Sequence, residues 1–304
     1  MTFKRVLCPV DFSETSAAAL RTAGRLAKAL QSDVTVLHAQ RWEFPLYFTA
    51  AQTQELEAQL RKSDQAAQKY LEDFVSHNLA GEVPRSVRIV EQEPVTAILR
   101  AADGIEANLV VMGTHGRTGW SRFRLGSVMD GVLRQVSVPV LAVGPGASSA
   151  DGTAAFREIL CPVTFDVLSK MTLEAATLLA RTTGARLTVL HVLDREPESA
   201  DVLRAAEERL CEWIRSEGKE QCSLRHVVRH GHTVQAIVDE AKRIGCDLLV
   251  IGAQARPTLS AVIFGTTTEA LIRIAPCPVL VAGATGVNLE PVLAGKDSME
   301  ERQL

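Results

Sequence analysis

Short apolar runs alternate with longer amphipathic stretches along most of the chain. Val6–Val10 is a compact apolar run. It is followed by Thr15–Leu30, in which Leu20, Ala23, Ala27 and Leu30 recur at helical spacing, and Ser13 before it is a helix-capping residue type. Val34–His38 reads as a second buried strand. A long helical segment over about 52–78 comes next, then a short strand at Arg88–Val90 and a helix at Val95–Ala102. A strand at Leu109–Met112, a helix at Ser127–Gln135 and a strand at Pro139–Val143 complete the order. Strands built from Val and Leu with helices between them predict a parallel sheet covered on both faces. Five such strands make one doubly wound α/β domain.

The order then repeats. FKRVLCPVDFS at 3–13 returns as FREILCPVTFD at 156–166, and VTVLHA at 34–39 returns as LTVLHV at 187–192 with the same displacement. NLVVMG at 108–113 returns as DLLVIG at 247–252, and VPVLAVG at 138–144 as CPVLVAG at 277–283, with a shorter one. The first copy therefore holds extra residues between its second and fourth strands. A unit of this length is a duplicated domain, not a solenoid repeat. The predicted domains are 1–146 and 156–284, joined through the small, polar segment GPGASSADGTAA at 144–155, with a frayed charged tail after Gly283. The two last strands, 139–143 and 278–282, would each leave an open sheet edge. They are expected to pair with one another as an intrachain pseudo-dimer; pairing with a second chain, as a homodimer or swapped assembly, is the alternative.

Composition narrows the function. Of 304 residues, 46% are hydrophobic and 23% charged, which is ordinary for a globular protein. A net charge of −3 lacks the basic excess of a nucleic-acid binder, so no nucleic-acid partner is expected. No apolar run approaches membrane-spanning length, and Asp11 interrupts the opening run too early for a signal peptide. These features predict a cytoplasmic protein with no membrane span. Six cysteines without a C-x-x-C pair are expected to be reduced, mostly buried thiols.

In a doubly wound sheet, ligands bind beyond the carboxyl ends of the strands, where the strand order reverses. Asp11 follows the first strand and Ala39 follows the second. After the fourth comes Gly113-Thr-His-Gly116, nine further residues, and Gly126-Ser127 opening a helix. The glycines allow close backbone approach to a ligand, and a helix start offers free N–H groups to an anion. Arg117, Arg122 and Arg124 lie between them, and a carboxylate at Asp11 suits a ribose hydroxyl. The stretch lacks the lysine of a Walker A loop and the spacing of a dinucleotide fingerprint. Two glycines three apart are common turn chemistry; their position after a strand and before a helix is what makes them a candidate site.

The sequence resembles the universal stress protein family in its tandem two-domain form. The motif G-x2-G-x9-G-[ST] matches 113–127 at every fixed position, and Pro9-Val10-Asp11, Val36-Leu37-His38 and Pro139-Val140-Leu141 also match. The resemblance implies an adenine-nucleotide ligand, ATP with or without Mg2+. It implies that Pro9, Asp11 and Ala39 contact adenine and ribose, and that Gly113, His115, Gly116, Arg117, Gly126, Ser127 and Val128 cradle the phosphates. The second copy departs from the pattern: Thr164 replaces Asp11, Ala255 replaces Gly116 and Pro257 replaces Thr118, while Gly265-Thr266 is kept. If Gly116 is left-handed, alanine there costs about 1–2 kcal/mol. The nucleotide is therefore expected in the first domain.

Other constellations carry less. Cys222, His226, His230 and His232 include zinc-ligand types, and the three histidines share strand parity, but one straight strand rarely closes a tetrahedron; solvated or core histidines are the simpler reading. Trp42, Phe44, Tyr47 and Phe48 could form a partner surface or pack beneath the following helix. His38 and His191 occupy matching strand positions and read as packing residues. No Ser/His/Asp order, paired carboxylates or activated nucleophile is legible. The expected protein is a nucleotide binder of the stress-response and regulatory kind. A slow ATPase and a nucleotide-free scaffold for partner proteins are the alternatives, so enzymatic activity stays open.

Overall fold

The computed structural model describes residues 3–40, 65–79, 83–116, 125–145, 155–217, 224–252, 256–258, 261–263 and 266–282. The first repeat forms β1 (Arg5–Pro9), α1 (Glu14–Leu30), β2 (Asp33–Gln40), α2 (helical over 65–78), β3 (Arg85–Glu91), α3 (Pro94–Gly104), β4 (Leu109–Gly113), α4 (Ser127–Leu133) and β5 (Val140–Val143). The second forms β6 (Glu158–Pro162), α5 (Val167–Thr183), β7 (Arg186–Leu193), α6 (Ala200–Ser216), β8 (Leu224–His230), α7 (Thr233–Ile244), β9 (Leu248–Gly252), α8 (Thr266–Ile274) and β12 (Val279–Ala282). Between β9 and α8 it adds a small antiparallel hairpin, β10 (Arg256–Thr258) and β11 (Ala261–Ile263), where the sequence predicts a loop.

Local chemistry sets the helix starts. Ser13 Oγ accepts from Ser16 N at the head of α1, and Asp166 Oδ1 from Ser169 N at the head of α5. Glu93 accepts from Val95 N and Thr96 N, with Pro94 at the first position of α3. Gly184 and Gly245 end α5 and α7 in the left-handed conformation. β3 runs longer than Arg88–Val90: it pairs with β2 from Val34↔Arg85 to Gln40↔Glu91. Its other side is the sheet edge, which tolerates charged residues that a central strand would exclude.

The strands form one ten-stranded sheet in the order β3-β2-β1-β4-β5-β12-β9-β6-β7-β8. Within this sheet the described pairings inside each repeat are parallel, and the two repeats join through an antiparallel pair, β5 with β12, centred on Leu141↔Leu280. The two five-stranded sheets thus meet edge to edge, and the pseudo-dimer is intrachain. Alternate side chains of each strand feed two cores, one on each face, and each core runs through both repeats. Cys8, Val36, Val111 and Leu141 pack with Leu20 and Leu26 of α1 on one face. Leu7, Leu37, Val110 and Met112 pack with Ile98 of α3 and Met129 of α4 on the other. Among the described residues, no helix is long and apolar enough to cross a membrane.

The 52–64 part of the long predicted helix, the aromatic residues Trp42, Phe44, Tyr47 and Phe48, most of the linker and the charged tail lie outside the described residues.

Candidate functional site

Strand order reverses between β1 and β4, and the residues at their carboxyl ends converge there. The turn after β1 is held tightly. Val10 N donates to Leu37 O at 2.8 Å, and His38 Nδ1 donates to Val10 O at 2.8 Å. Phe12 takes φ 64°, an uncommon conformation for a bulky residue, and its ring lies against His38 with centroids 4.4 Å apart. The second domain repeats this arrangement: Phe165 has φ 66°, His191 Nδ1 donates to Val163 O at 3.0 Å, and the two rings are 4.3 Å apart. His38 and His191 do more than fill space, because each fixes the turn that presents the next residue to the site.

In the first domain that residue is Asp11. Its Oδ1 accepts from Ser13 N at 3.1 Å and Ser13 Oγ at 2.6 Å, so the carboxylate is anchored to the cap of α1. Thr15, one residue into α1, donates its hydroxyl to His115 O and ties the helix to the loop after β4. Thr114 N donates to Val143 O at 3.0 Å, and Gly126 N returns to Thr114 O at 2.9 Å, closing the stretch between β4 and α4 at its base. A Cβ on Gly126 would lie 3.0 Å from Thr114 O, so glycine permits that approach.

These groups enclose a cavity of about 330 Å3. Pro9, Asp11, Ala39, Gly113, His115, Gly116, Gly126, Ser127 and Val128 all line it. Arg117, with Arg122 and Arg124, lies outside the described residues. The volume falls within the range of small-molecule sites. Leu37, Pro94, Ile98, Met112 and Met129 supply apolar wall, and Asp11, Ser16, Thr114, His115 and Ser127 supply polar groups to the same lining. His115 Nδ1 shares a hydrogen bond of 2.8 Å with Thr114 Oγ1, while its Nε2 is buried with no hydrogen-bond partner among the described residues. Buried polar atoms are ordinarily paired, so this unpaired ring nitrogen on a cavity-lining residue is an exception. Among the described residues, Asp11 is the one carboxylate in the lining.

The sequence missed the apolar wall. Ile98 sits on the helix predicted over Val95–Ala102 and Pro94 just before it, but the direction in which α3 crosses the sheet decides that they meet the cavity. Thr114 was legible only as a variable position inside the motif, and Thr15 only as the start of the first amphipathic stretch. Gly116 corrects an expectation: its φ is not positive, so alanine there is not opposed by left-handed geometry. The obstacle is Asp11, whose Oδ2 would stand 2.8 Å from an added Cβ.

The matching place in the second domain holds a larger cavity, about 650 Å3, lined among others by Thr164, Asp166, Ser169, His191, Gly252 and Thr266. The change from Asp11 to Thr164 does not remove the carboxylate from the region. Acid and hydroxyl exchange places: Asp166 stands where the first domain has Ser13, and Thr164 Oγ1 donates to Asp166 Oδ2 at 3.1 Å. Ala255 and Gly265 lie outside the described residues.

The histidine stretch does not act as one strand face. His226 and His230 are exposed on β8, but the strand ends at His230, Gly231 turns with φ 111°, and His232 precedes α7. Cys222 lies outside the described residues. Among the described residues, no three His, Cys, Asp or Glu side chains gather as a metal centre would require.

Fold and site together define a duplicated, doubly wound α/β protein with a ligand-sized cavity at the switch point of each half. The universal stress protein family model matches residues 2–144 and again 155–283, and the chain belongs to that family. A universal stress protein of Mycolicibacterium smegmatis is 27% identical over 299 residues, covering 91% of this chain and 96% of that protein. One from Methanocaldococcus jannaschii is 30% identical over 141 residues, covering 46% of this chain and 82% of its own length. Among solved structures, a universal stress protein from Archaeoglobus fulgidus superposes with a TM-score of 0.69 at 23% identity, covering 94% of this chain and all of that one, which shows the shared fold.

Proposed function

We propose that the first domain binds an adenine nucleotide, ATP, as a regulatory ligand rather than as a substrate for rapid turnover. The observation that carries this reading is the convergence of Asp11, His115, Gly116 and Ser127 on one cavity with an apolar wall. The adenine lies against Leu37, Ile98, Met112 and Met129, with Pro9 and Ala39 at its edge. Asp11 accepts from the ribose, and the phosphates run toward Gly113, Gly116 and Ser127. His115 Nε2, donor or acceptor according to tautomer, completes its hydrogen bonding with the ligand.

With Asp11 as the one described carboxylate in the lining, and that group anchored by Ser13, Mg2+ fits as an ion carried on the phosphates, a mode in which this cation usually binds. Among the described lining residues no second carboxylate stands ready as a general base, which favours a binder over an ATPase. The five described cysteines are free thiols, which fits a cytoplasmic setting.

Mass spectrometry of small molecules released from the purified, denatured protein, with calorimetric titration of ATP, tests the reading. One adenine nucleotide per chain, displaced by substitutions at the first cavity, is expected. No nucleotide and no titratable site would favour the scaffold alternative. Steady phosphate release at saturating ATP would favour the ATPase.

A further inference from the structure

Cys246 and Cys277 stand at the amino ends of two neighbouring parallel strands, β9 and β12, with their Sγ atoms 3.7 Å apart. Cys246 directly follows Gly245, which ends α7, and Cys277 lies between α8 and β12. The backbone beside them is pinned, because Leu249 N donates to Pro278 O at 3.0 Å. Cys277 directs its S–H at Cys246 Sγ, and Cys246 donates in turn to Leu248 O at 3.1 Å. Each residue keeps 7% of its surface exposed, whereas Cys8 and Cys161 keep none. The first domain has Ala107 and Val138 at the equivalent positions, so this site in the fold does not require sulfur.

We propose that Cys246 and Cys277 form a dithiol that a two-electron oxidant such as hydrogen peroxide converts into an intrachain disulfide. The thiolate of one cysteine attacks a peroxide oxygen, the O–O bond breaks, and the departing oxygen leaves as water, giving a sulfenic acid. The sulfur of the neighbour attacks that sulfur, the S–O bond breaks, and hydroxide leaves with the second thiol proton as water. Two thiols lose two electrons and two protons, and one peroxide becomes two waters.

The neighbour is already in contact, so the second step needs only a side-chain adjustment. The first step is slow. The paired Cys277 sulfur, beside which a second negative charge is disfavoured, and then burial raise the pKa of the Cys246 thiol and keep it protonated. The pair therefore responds to sustained rather than brief oxidation. Closing 246 to 277 ties β9 to β12 across the segment carrying the small hairpin and α8, the counterpart of the stretch that lines the first cavity.

The test uses the full chain, treated with hydrogen peroxide until the partly exposed Cys211 is consumed, then alkylated and digested with trypsin without reductant. Cleavage after Arg243, Arg273 and Lys296 places Cys246 and Cys277 on separate peptides, 244–273 and 274–296, with no other cysteine in either. The expected product is the two peptides joined, two hydrogens lighter than their sum and separated by dithiothreitol. Cys246→Ala and Cys277→Val, which copy the first domain, fold and lose that product. Both thiols alkylated in wild type after Cys211 is consumed would overturn the proposal. So would sulfinic or sulfonic acid at either position, or links confined to Cys211 and Cys222.

Discussion

Asp11 and Gly116 stand side by side in the lining of the first cavity, so closely that a Cβ at 116 would stand 2.8 Å from Asp11 Oδ2. The second domain changes both positions together, to Thr164 and Ala255. Glycine at 116 therefore keeps room for a carboxylate, and the two residues act as a unit. Asp11→Ala is expected to weaken ATP binding roughly 10- to 150-fold, the loss of about 1.5–3 kcal/mol for a hydrogen bond to a charged acceptor. Gly116→Ala weakens it too, by displacing that carboxylate. Asp11→Ala combined with Gly116→Ala costs less than the two single changes together, because with the carboxylate gone the added methyl has nothing to displace. Calorimetric titration of the four proteins measures this, and strict additivity would mean that the two sites are independent.

The fold was legible because burial on both faces of a parallel sheet leaves Val- and Leu-rich runs, and their recurrence at 156–166 and 247–252 exposed the duplication. The hairpin at Arg256–Thr258 and Ala261–Ile263 was not legible: each strand is three residues long and one contains Pro257. The turn at Phe12 escaped for a different reason. Nothing in a Pro-Val-Asp-Phe-Ser run announces a left-handed phenylalanine, which is stabilised by contacts with His38 and Phe74 from distant elements. The motif glycines announced the polar rim of the cavity, but its apolar wall depends on how α3 lies over the sheet.

Leu141 meets Leu280 at the centre of the antiparallel pairing that joins the two repeats in the large sheet, and both are almost fully buried. Leu141→Ala opens a cavity where the two halves join. A loss of about 2–5 kcal/mol in urea denaturation is expected. Because one core on that face runs through both repeats, the halves are expected to unfold together in wild type and separately in the variant. Two resolved transitions in wild type would contradict a shared core.

Glu240 has 1% of its side chain exposed and is held by Arg229 Nε at 3.0 Å and by Arg243 Nε at 2.8 Å. The hydrogen bonds from Arg243, against the opposing effect of burial, lower its pKa below the ordinary glutamate value. A carboxylate with a depressed folded-state pKa contributes stability that is present above its unfolded value, near 4.3, and is lost as pH falls through the folded one. Glu240→Gln is expected to cost about 1–3 kcal/mol at pH 7. The cost stays moderate because Arg229 and Arg243 keep 40% and 44% of their side chains exposed and can turn to water. In melting curves from pH 7 to pH 3, the gap between wild type and variant should close as the acid is titrated; a constant gap would refute the linkage.

Asp247 and Asn108 do the same job in the two domains with different chemistry. Asn108 Oδ1 accepts from Lys4 N and Arg5 N at 3.1 and 3.0 Å; Asp247 accepts from Arg157 N at 2.8 Å and Glu158 N at 3.0 Å. The amide does so without charge. The carboxylate is partly buried, and that burial, reinforced by nearby Glu158, raises its pKa despite the backbone donors. Here the sign is opposite to that of Glu240. The folded protein holds the proton more tightly than the unfolded chain, so the contribution is fully present below the unfolded pKa, near 3.9, and is lost as pH rises through the folded value. Asp247→Asn keeps the acceptor and removes the ionisation. Its attraction to Arg25 is lost as well, but that is the weakest of the influences on Arg25. The variant should therefore melt at or above wild type at pH 7, with the difference vanishing below about pH 4. The reciprocal Asn108→Asp should lower the melting temperature at pH 7 and recover in acid. If Asp247→Asn melts well below wild type at neutral pH, the charge at 247 is stabilising, and the reading of its burial as a cost is wrong.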